Sequence, residues 1–413
     1  MLFKTAICLS LSWAVFAASQ ELARDEGTSG APIELVHVYD DEFPTGIAVS
    51  SRGRLFSNYP RSLDANNTQY TVAELTSNTT EQPYPSAEFN SPPGGAINYT
   101  TSPATGANYQ NYLIGVQSVV IDAKDRLWIL DTGRAATKDG TNVPASYGGP
   151  KLIGVDLGNN SVITTIVFDP DVAYSTSYLN DVRLDLRPSL TESGAGVAYI
   201  TDSSNEGRNG LITVDLGSGK AWRHLDSHPS VRAEPSFLPF VWGEPVYSNP
   251  DPTATPIGFQ TTGSDGIALS ADGVTLFWTP EAGRTLYSIP TERLRNQSLT
   301  SELMARAAVV SHGEKGNSDG METDSNNLIY AGNTEGNAIN IFNPANGTVS
   351  IFTRDPRIAW SDTLSVAEDG YLYFTENQLW RSPSFQGGVD RRVRPFTLFR
   401  AKLPGNGTKV ALL

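Results

Sequence analysis

Residues 265–278 read Asp-Gly-Ile-Ala-Leu-Ser-Ala-Asp-Gly-Val-Thr-Leu-Phe-Trp, and this stretch decides the fold. A small polar residue opens an apolar run, Asp272-Gly273 marks a tight turn, and a second apolar run ends in aromatic side chains. Asp-Gly tolerates the positive φ that a two-residue hairpin loop needs. The stretch therefore predicts a β-hairpin.

The same hairpin pattern occurs six times along the chain. The six units span residues 46–56, 118–131, 181–202, 265–278, 319–330 and 362–376. Several units are followed by a further strand pair, as in residues 211–225 and 338–352. Four antiparallel strands per unit, repeated six times, predict an all-β, six-bladed β-propeller. Two β-sandwich domains are the alternative, which we disfavour because sandwiches do not repeat one hairpin pattern along a whole chain.

Closure of the ring is expected to join the two ends of the chain. The run from Ile33 to Tyr39 precedes the first hairpin, and we expect it to add an outer strand to the last blade, beside Phe396 to Leu403. Two long inserts interrupt the repeat, Pro60 to Ile114 and Asp226 to Gly263. We interpret the first as a solvated connection. The second is either a connection or a lid over the channel mouth.

The length, composition and charge of the chain limit the kinds of molecule that we expect it to bind. The chain has 413 residues, of which 39% are hydrophobic, so it is long enough to bury a large core. It carries 30 basic and 44 acidic residues, for a net charge of −14. Binding to a phosphate backbone needs a concentrated basic face, so nucleic acid is not an expected partner. We expect a cationic or neutral small molecule instead.

The amino terminus predicts export. Lys4, an apolar run from Ala6 to Phe16 and small residues at 17–19 match a secretory signal peptide over residues 1–19. Removal of this peptide is expected to leave one propeller domain, residues 20–413, in which we expect no membrane span. That domain has no cysteine, because Cys8 is removed with the peptide. Seven sequons are predicted acceptors for N-glycans. Their asparagines are Asn66, Asn78, Asn98, Asn159, Asn296, Asn346 and Asn406.

Polar residues are expected to converge at one mouth of the channel. In an antiparallel hairpin the start of the first strand and the end of the second lie at the same edge. The residues at this edge that are predicted to bind ligand are Thr45, Gln117, Asn180, Asp265, Asp319, Asn333 and Asp362. Asp181 and Glu376 lie at the same edge and are candidates for moving a proton. Crowded carboxylates attract a metal ion or a protonated amine. The alternative is that these side chains only cap strand ends.

Four stretches of sequence are distinctive: Phe43 to Val49, Tyr70 to Leu75, Leu113 to Gly133 and Ala198 to Ser203. They resemble the major royal jelly and yellow protein family, in particular its fungal branch, and the likeness spans about residues 33 to 403. The resemblance implies a secreted six-bladed propeller. It leaves function open, since members serve as pigment-pathway proteins associated with dopachrome conversion, as binders of biogenic amines, or as nutritive and sterol-associated proteins. The absence of cysteine in the mature chain departs from the insect members.

A more distant likeness is to calcium-dependent gluconolactonases. It rests on Asn180-Asp181, Asp265-Gly266 and Asp319-Gly320-Met321, and it implies Asn180, Asp265 and Asp319 as ligands of a calcium ion. Two positions depart from that family's pattern, because Asp265 stands where an asparagine is expected and Thr45 where a glutamate is expected.

These observations lead to three functional hypotheses. The first is a protein that binds a small aromatic or amine-bearing metabolite at the acidic mouth and catalyses a tautomerisation or cyclisation in pigment or secondary-metabolite biosynthesis. The second is a ligand-binding or storage protein without catalysis. The third is a calcium-dependent lactonase-like hydrolase. No cofactor other than calcium is implied.

Overall fold

The structure is a computed structural model that describes residues 27–248 and 258–413. Six antiparallel sheets are arranged in it as a propeller. The prediction of an all-β, six-bladed β-propeller is confirmed. The predicted signal peptide, residues 1–19, and Cys8 lie outside the described residues. No helix in the described parts of the chain is long and apolar enough to cross a membrane.

The first four blades each consist of four strands in chain order, running from the innermost strand outward. Blade 1 comprises Gly46–Val49, Leu55–Asn58, Val72–Leu75 and Glu81–Pro83. Blade 2 comprises Val116–Ile121, Arg126–Thr132, Pro150–Asp156 and Ser161–Val167. Blade 3 comprises Leu179–Asp185, Val197–Asp202, Gly210–Asp215 and Ala221–His224. Blade 4 comprises Ser264–Leu269, Thr275–Pro280, Thr285–Pro290 and Val310–Glu314.

The last two blades use strands from the amino terminus. Blade 5 comprises Met321–Thr323, Ile329–Asn333, Ala338–Asn343, Thr348–Arg354 and Ser29–Gly30. Blade 6 comprises Ser361–Val366, Tyr371–Glu376, Phe396–Lys402 and Ile33–Tyr39. Two small ribbons pair Ile97–Asn98 with Thr105–Gly106 and Phe240–Val241 with Glu244–Pro245. The α-helices are Thr291–Arg295 and Ser301–Ala307. Short 3-10 turns span Pro188–Leu190, Pro229–Val231, Thr334–Gly336, Leu379–Arg381, Pro383–Phe385 and Pro404–Asn406.

The core consists of six apolar clusters, one in each gap between neighbouring blades. Trp128 packs between blades 2 and 3, Trp278 between blades 3 and 4, and Trp360 between blades 6 and 1. Inner strands are buried along their whole length, as in Ser264–Leu269, whereas an outer strand such as Ser161–Val167 is mostly exposed. Packing between blades therefore stabilises the ring.

The amino-terminal strand closes the ring as predicted. Ile33 pairs with Ala401 and Tyr39 with Phe396, so Ile33–Tyr39 becomes the outer strand of blade 6. His37 ties this strand to blade 1, because its Nε2 lies 2.8 Å from the Glu81 carboxylate and its Nδ1 lies 2.8 Å from the Ser77 carbonyl oxygen. The sequence did not predict the Ser29–Gly30 strand of blade 5.

The second insert crosses the top of the propeller. Glu234 accepts hydrogen bonds from the backbone of Arg284 and Thr285 in blade 4. Further along, Val241 and Val246 are buried in the cluster between blades 6 and 1. The segment thus spans from blade 4 to blade 6 on the face where the inner strands begin.

Candidate functional site

A cavity of about 1030 Å³ lies at the mouth of the channel, where the inner strands begin. Polar side chains from the inner strands of five blades line it, together with one carboxyl group from the end of a second strand. These residues are Gln117, Asn180, Asp265, Asp319, Asp362 and Glu281. Both inserts contribute to the wall, through residues 62–66 and Thr68 of the first and through Ser248 and 260–262 of the second. The first insert is therefore more than a connection.

A repeated β-bulge lies at the level of these side chains. In blade 2 the pairing skips Gln117, and in blade 3 two residues, Asn180 and Asp181, lie opposite Thr201. Blades 4 and 6 have the same register shift at Asp265 and Asp362. A bulge turns a side chain away from the regular alternation of a strand. In this protein it occurs in four blades at the residue that faces the cavity.

Two glycines bring the carboxyl groups of three blades close together. A Cβ atom at Gly266 would lie 2.2 Å from the Asp319 carbonyl oxygen, and one at Gly320 would lie 2.2 Å from the Asp362 carbonyl oxygen. Only glycine permits this approach between neighbouring inner strands. The Asp-Gly pairs at 265–266 and 319–320 therefore combine a cavity carboxyl group with a site of close backbone contact.

The bonded partners of the cavity carboxyl groups are uncharged. Asn180 Nδ2 donates to Asp265, Trp360 Nε1 donates to Asp319 at 2.8 Å, and Asn377 Nδ2 donates to Asp362 at 2.6 Å. Nearer the rim, carboxylates are paired with arginine. Arg134 binds Glu206 at 2.8 Å and Arg392 binds Asp64 at 2.6 Å. Carboxyl groups without a bonded cation are thus concentrated at the floor.

Burial and mutual repulsion raise the pKa of the four floor carboxyl groups. For Asp265 burial is the largest cause, followed by repulsion from the other three groups, and its pKa lies well above the usual value. The pKa of Asp319 is raised by burial first and then by Asp362. Burial raises the pKa of Glu281 and Asp362 to about 8. The cluster therefore holds protons at neutral pH, and a cation placed against it would release them.

A chain of hydrogen bonds connects the rim to this cluster. Tyr178 OH lies 2.6 Å from Ser62 Oγ and donates to Gln117 Oε1 at 2.8 Å. Gln117 Nε2 donates to Asn180 Oδ1 at 3.4 Å, and Asn180 then donates to Asp265. Tyr178 is buried and lines the cavity. These contacts orient Asn180 so that its amide group faces the Asp265 carboxylate.

Two residues predicted to bind ligand do not line the cavity. Thr45 is fully buried between blades, where its hydroxyl group accepts a hydrogen bond from Asn58 at 2.8 Å and its carbonyl oxygen accepts one from Thr375. Asn333 caps the turn after its strand by accepting a hydrogen bond from Gly336 N at 3.1 Å. Neither side chain is among those that line the cavity.

The two predicted proton-transfer residues are also outside the cavity wall. Asp181 points into the channel below, where it pairs with Arg183 at 3.0 Å and accepts a hydrogen bond from Ser118. Glu376 accepts hydrogen bonds from the backbone N–H groups of Ala359 and Trp360, each at 2.9 Å. Its carboxylate thereby holds the segment that enters blade 6.

The residues proposed for calcium do not fit a calcium ion. Within residues 27–248 and 258–413, no group of three or more His, Asp or Glu side chains has an arrangement that could hold a metal. Asn180 presents its amide N–H to Asp265, and Trp360 presents its indole N–H to Asp319. Calcium binds oxygen atoms, whereas Asn180 directs its N–H group to Asp265 and its side-chain oxygen to Gln117. The three side chains therefore do not present their oxygen atoms to one point. We derive no step through a metal.

Several residues of the site were missed by sequence reasoning. Glu281, Tyr178 and Trp360 are not among the residues that the sequence predicted to bind ligand. The sequence does contain a pattern that could have identified Tyr178 and Trp360. Each aromatic residue stands two positions before a polar cavity residue, in Tyr178-Leu179-Asn180 and in Trp360-Ser361-Asp362. Arg134 and Arg392 come from loops whose position no strand pattern fixes.

The floor carboxyl groups predict a dependence of stability on pH. The pKa of Asp362 is higher in the folded chain than in the unfolded chain, so the folded state binds more protons between about pH 4 and pH 8. Its stabilising effect is complete at acid pH and is lost as pH rises to about 8. We expect Asp362→Asn to equal the original protein in thermal stability near pH 4 and to exceed it by about 1–3 kcal/mol at pH 9.

Scanning calorimetry across this pH range tests the expectation. Asp139→Asn is the matched control, because Asp139 is an exposed carboxylate at the cavity rim. A hydrogen bond from Thr137 lowers the pKa of Asp139, so its substitution should not raise stability at pH 9. If Asp362→Asn has the same profile as the original protein, the floor group does not titrate as described.

Comparison with known proteins finds relatives named as yellow-related proteins and as major royal jelly proteins. A family model described as major royal jelly protein matches residues 114–402. Yellow-related salivary protein M10 of Phlebotomus duboscqi is 27% identical over 269 residues, which cover 62% of this chain and 59% of that protein. Major royal jelly protein 1 of Apis mellifera is 26% identical over 187 residues, which cover 44% of this chain and 38% of that protein. The chain spans about half the length of these relatives.

A solved structure supports the architecture. A luciferin-regenerating enzyme superposes with a TM-score of 0.51 over 92% of this chain and 98% of its own, at 10% sequence identity. At that identity the likeness shows the propeller fold alone.

Proposed function

This chain belongs to the major royal jelly protein family, and on that premise we propose that it is a secreted protein that binds a small amine-bearing metabolite in the cavity at the channel mouth. The observation that carries the proposal is the set of four buried carboxyl groups whose hydrogen-bond donors are uncharged. These donors are Asn180 for Asp265, Trp360 for Asp319, Asn377 for Asp362 and Thr262 for Glu281. A protonated amine both neutralises such a cluster and donates hydrogen bonds to it.

Recognition of the amine is assigned to the floor of the cavity. Asp265, Asp319 and Asp362 would supply the negative charge, while Asn180 and Gln117 orient polar substituents of the ligand. Tyr178 and Phe385 line the same cavity and offer aromatic surface. A volume of about 1030 Å³ is ample for an aromatic amine with several substituents.

Export of the protein is part of the proposal. The relatives are named for saliva and royal jelly, and the leader sequence supports the same destination. The sequon asparagines also lie in accessible places. Five are exposed and two are half-buried, the latter being Asn98 and Asn296.

A second candidate function is an isomerase that acts on the same ligand class. It is favoured by one observation, the raised pKa of about 8 for both Glu281 and Asp362. A carboxyl group that titrates near the working pH is suited to general acid–base catalysis. Tautomerisation or cyclisation of an oxidised aromatic amine needs such a group. A simple binding or storage protein has no use for it.

Binding of a matched pair of ligands tests the proposal. Tyramine carries a protonated amine, and N-acetyltyramine keeps the ring but loses the charge. We expect tyramine to raise the free energy of unfolding by about 2.7 kcal/mol when its concentration is 100 times its dissociation constant, and N-acetyltyramine to have no effect. Calorimetry in two buffers should also detect the release of protons when tyramine binds.

Other outcomes of the same measurement distinguish the hypotheses. Equal binding of both ligands would show that charge is not recognised, which contradicts the proposal. Stabilisation by calcium that a chelator reverses would favour the lactonase hypothesis. Conversion of dopachrome that is lost in Glu281→Gln but retained in Asp139→Asn would identify the isomerase.

A further inference from the structure

One sequon lies in the wall of the cavity. All seven sequon asparagines belong to the described parts of the chain, and Asn66 is the one among them that lines the cavity. Its side chain is exposed, and Thr68 of the same sequon also lines the cavity. The remaining six sit on other surfaces. Asn346, for example, is exposed in the turn between Ala338–Asn343 and Thr348–Arg354, the third and fourth strands of blade 5.

The loop that carries Asn66 is held rigidly against the propeller. The neighbouring Asn67 is buried, accepts a hydrogen bond from Phe43 N at 2.7 Å and donates one to Phe43 O at 3.0 Å. Asn66 N donates to Asp64 at 2.8 Å, and Asp64 pairs with Arg392 at 2.6 Å. Because the loop is anchored on both sides of Asn66, any group attached to its side chain remains at the mouth of the cavity.

We propose that an N-linked glycan on Asn66 stands at the mouth and limits the size of the molecules that reach the carboxyl groups. The inference rests on the export of the protein in the proposed function, because only an exported chain receives such a glycan. An oligosaccharide is bulky, hydrated and uncharged, so it excludes large molecules by volume while a small amine diffuses past it. The glycan thereby restricts the site to free small molecules and excludes peptide side chains and polymers.

Thiol labelling in the cavity tests the proposal without any ligand. The mature chain lacks cysteine, so Ala136→Cys introduces a single thiol at a half-buried position in the cavity wall. A small methanethiosulfonate reagent and a polyethylene glycol maleimide are applied to the glycosylated protein and to the same protein carrying Asn66→Gln. We expect the polymer reagent to react several-fold faster after Asn66→Gln, and the small reagent to react at the same rate in both.

Controls separate this inference from the function of the site. Asn346→Gln removes a glycan remote from the cavity and should leave both rates unchanged. Enzymatic removal of glycans from the folded protein replaces Asn66→Gln if that variant does not fold. An unmodified Asn66 in glycopeptide mass spectrometry, or equal polymer rates with and without the glycan, would overturn the proposal. Failure of tyramine to bind would contradict the proposed ligand and leave the labelling result intact.

Discussion

Asp319→Asn should lower the affinity for tyramine by about 30- to 1000-fold, equivalent to about 2–4 kcal/mol. Asp319 is buried, it repels both Asp265 and Asp362, and it lies between them in the order of the blades. An asparagine keeps the size of the side chain and can still accept the hydrogen bond from Trp360 Nε1. The change therefore removes charge with little alteration of shape. Asp265→Asn should have a similar effect.

Titration calorimetry with purified protein measures this loss. Asp139→Asn again serves as the control, since the same chemical change at an exposed rim position should alter affinity less than about threefold. The apo form of Asp319→Asn should also melt at a higher temperature than the original protein at pH 9, because one buried repulsive charge is gone. Unchanged affinity together with reduced stability would mean that Asp319 has a structural role only.

Lys151→Met should destabilise the fold by about 3–5 kcal/mol, the largest loss of stability that we expect from one substitution. Lys151 is fully buried, and its Nζ donates to Asp131 at 3.0 Å and to the Gly149 carbonyl oxygen at 2.9 Å. Asp131 also accepts hydrogen bonds from three backbone N–H groups, those of Ile114, Gly115 and Gly133. Without the lysine, a buried carboxylate would lose its bonded cation.

Urea unfolding compares this variant with Lys124→Met. Lys124 is exposed, so its substitution should change stability by no more than about 0.5 kcal/mol. Adding Asp131→Asn to Lys151→Met should recover part of the loss, because the unpaired charge disappears. An unfolding midpoint for Lys151→Met equal to that of Lys124→Met would contradict the expectation.

The same contacts explain what the most family-specific stretch of sequence encodes. Within Leu113 to Gly133, Asp131 fixes the entry to blade 2, and Trp128 Nε1 donates to Asp122 at 2.8 Å. Gly133 has a φ of +66°, and a Cβ atom there would lie 2.5 Å from Pro150 N. Only Gln117 of this stretch lines the cavity. The motif is specific because it builds a blade, and for this reason it identifies the family without identifying a ligand.

Local pattern was sufficient to predict the architecture. The hairpin repeat, the Asp-Gly turns and the apolar Ile33–Tyr39 run each report strand periodicity or turn chemistry, and both act between neighbouring residues. The Ser29–Gly30 strand was not predictable in this way. It is short and polar, and it is defined only by its pairing with Thr353 and Arg354 of blade 5, which are distant in sequence.

The site could be predicted only in part. Edge geometry correctly brought five polar residues to one cavity, namely Gln117, Asn180, Asp265, Asp319 and Asp362. It did not distinguish Asn180 from Asp181, because a bulge decides which of two adjacent side chains faces the cavity and which pairs with Arg183. Nor did it show that Glu376 binds the amides of Ala359 and Trp360. That use of a carboxylate depends on a loop conformation.

The pairing of Ile33 with Ala401 determines when the protein can finish folding. Ile33–Tyr39 leaves the ribosome well before its partner strand Phe396–Lys402, because most of the propeller lies between them in the sequence. Until then the amino-terminal strand has an unpaired edge, and such edges promote aggregation. Contacts this distant in sequence also form slowly. We therefore expect Ile33–Tyr39 to need protection from other chains until Phe396–Lys402 has been synthesised.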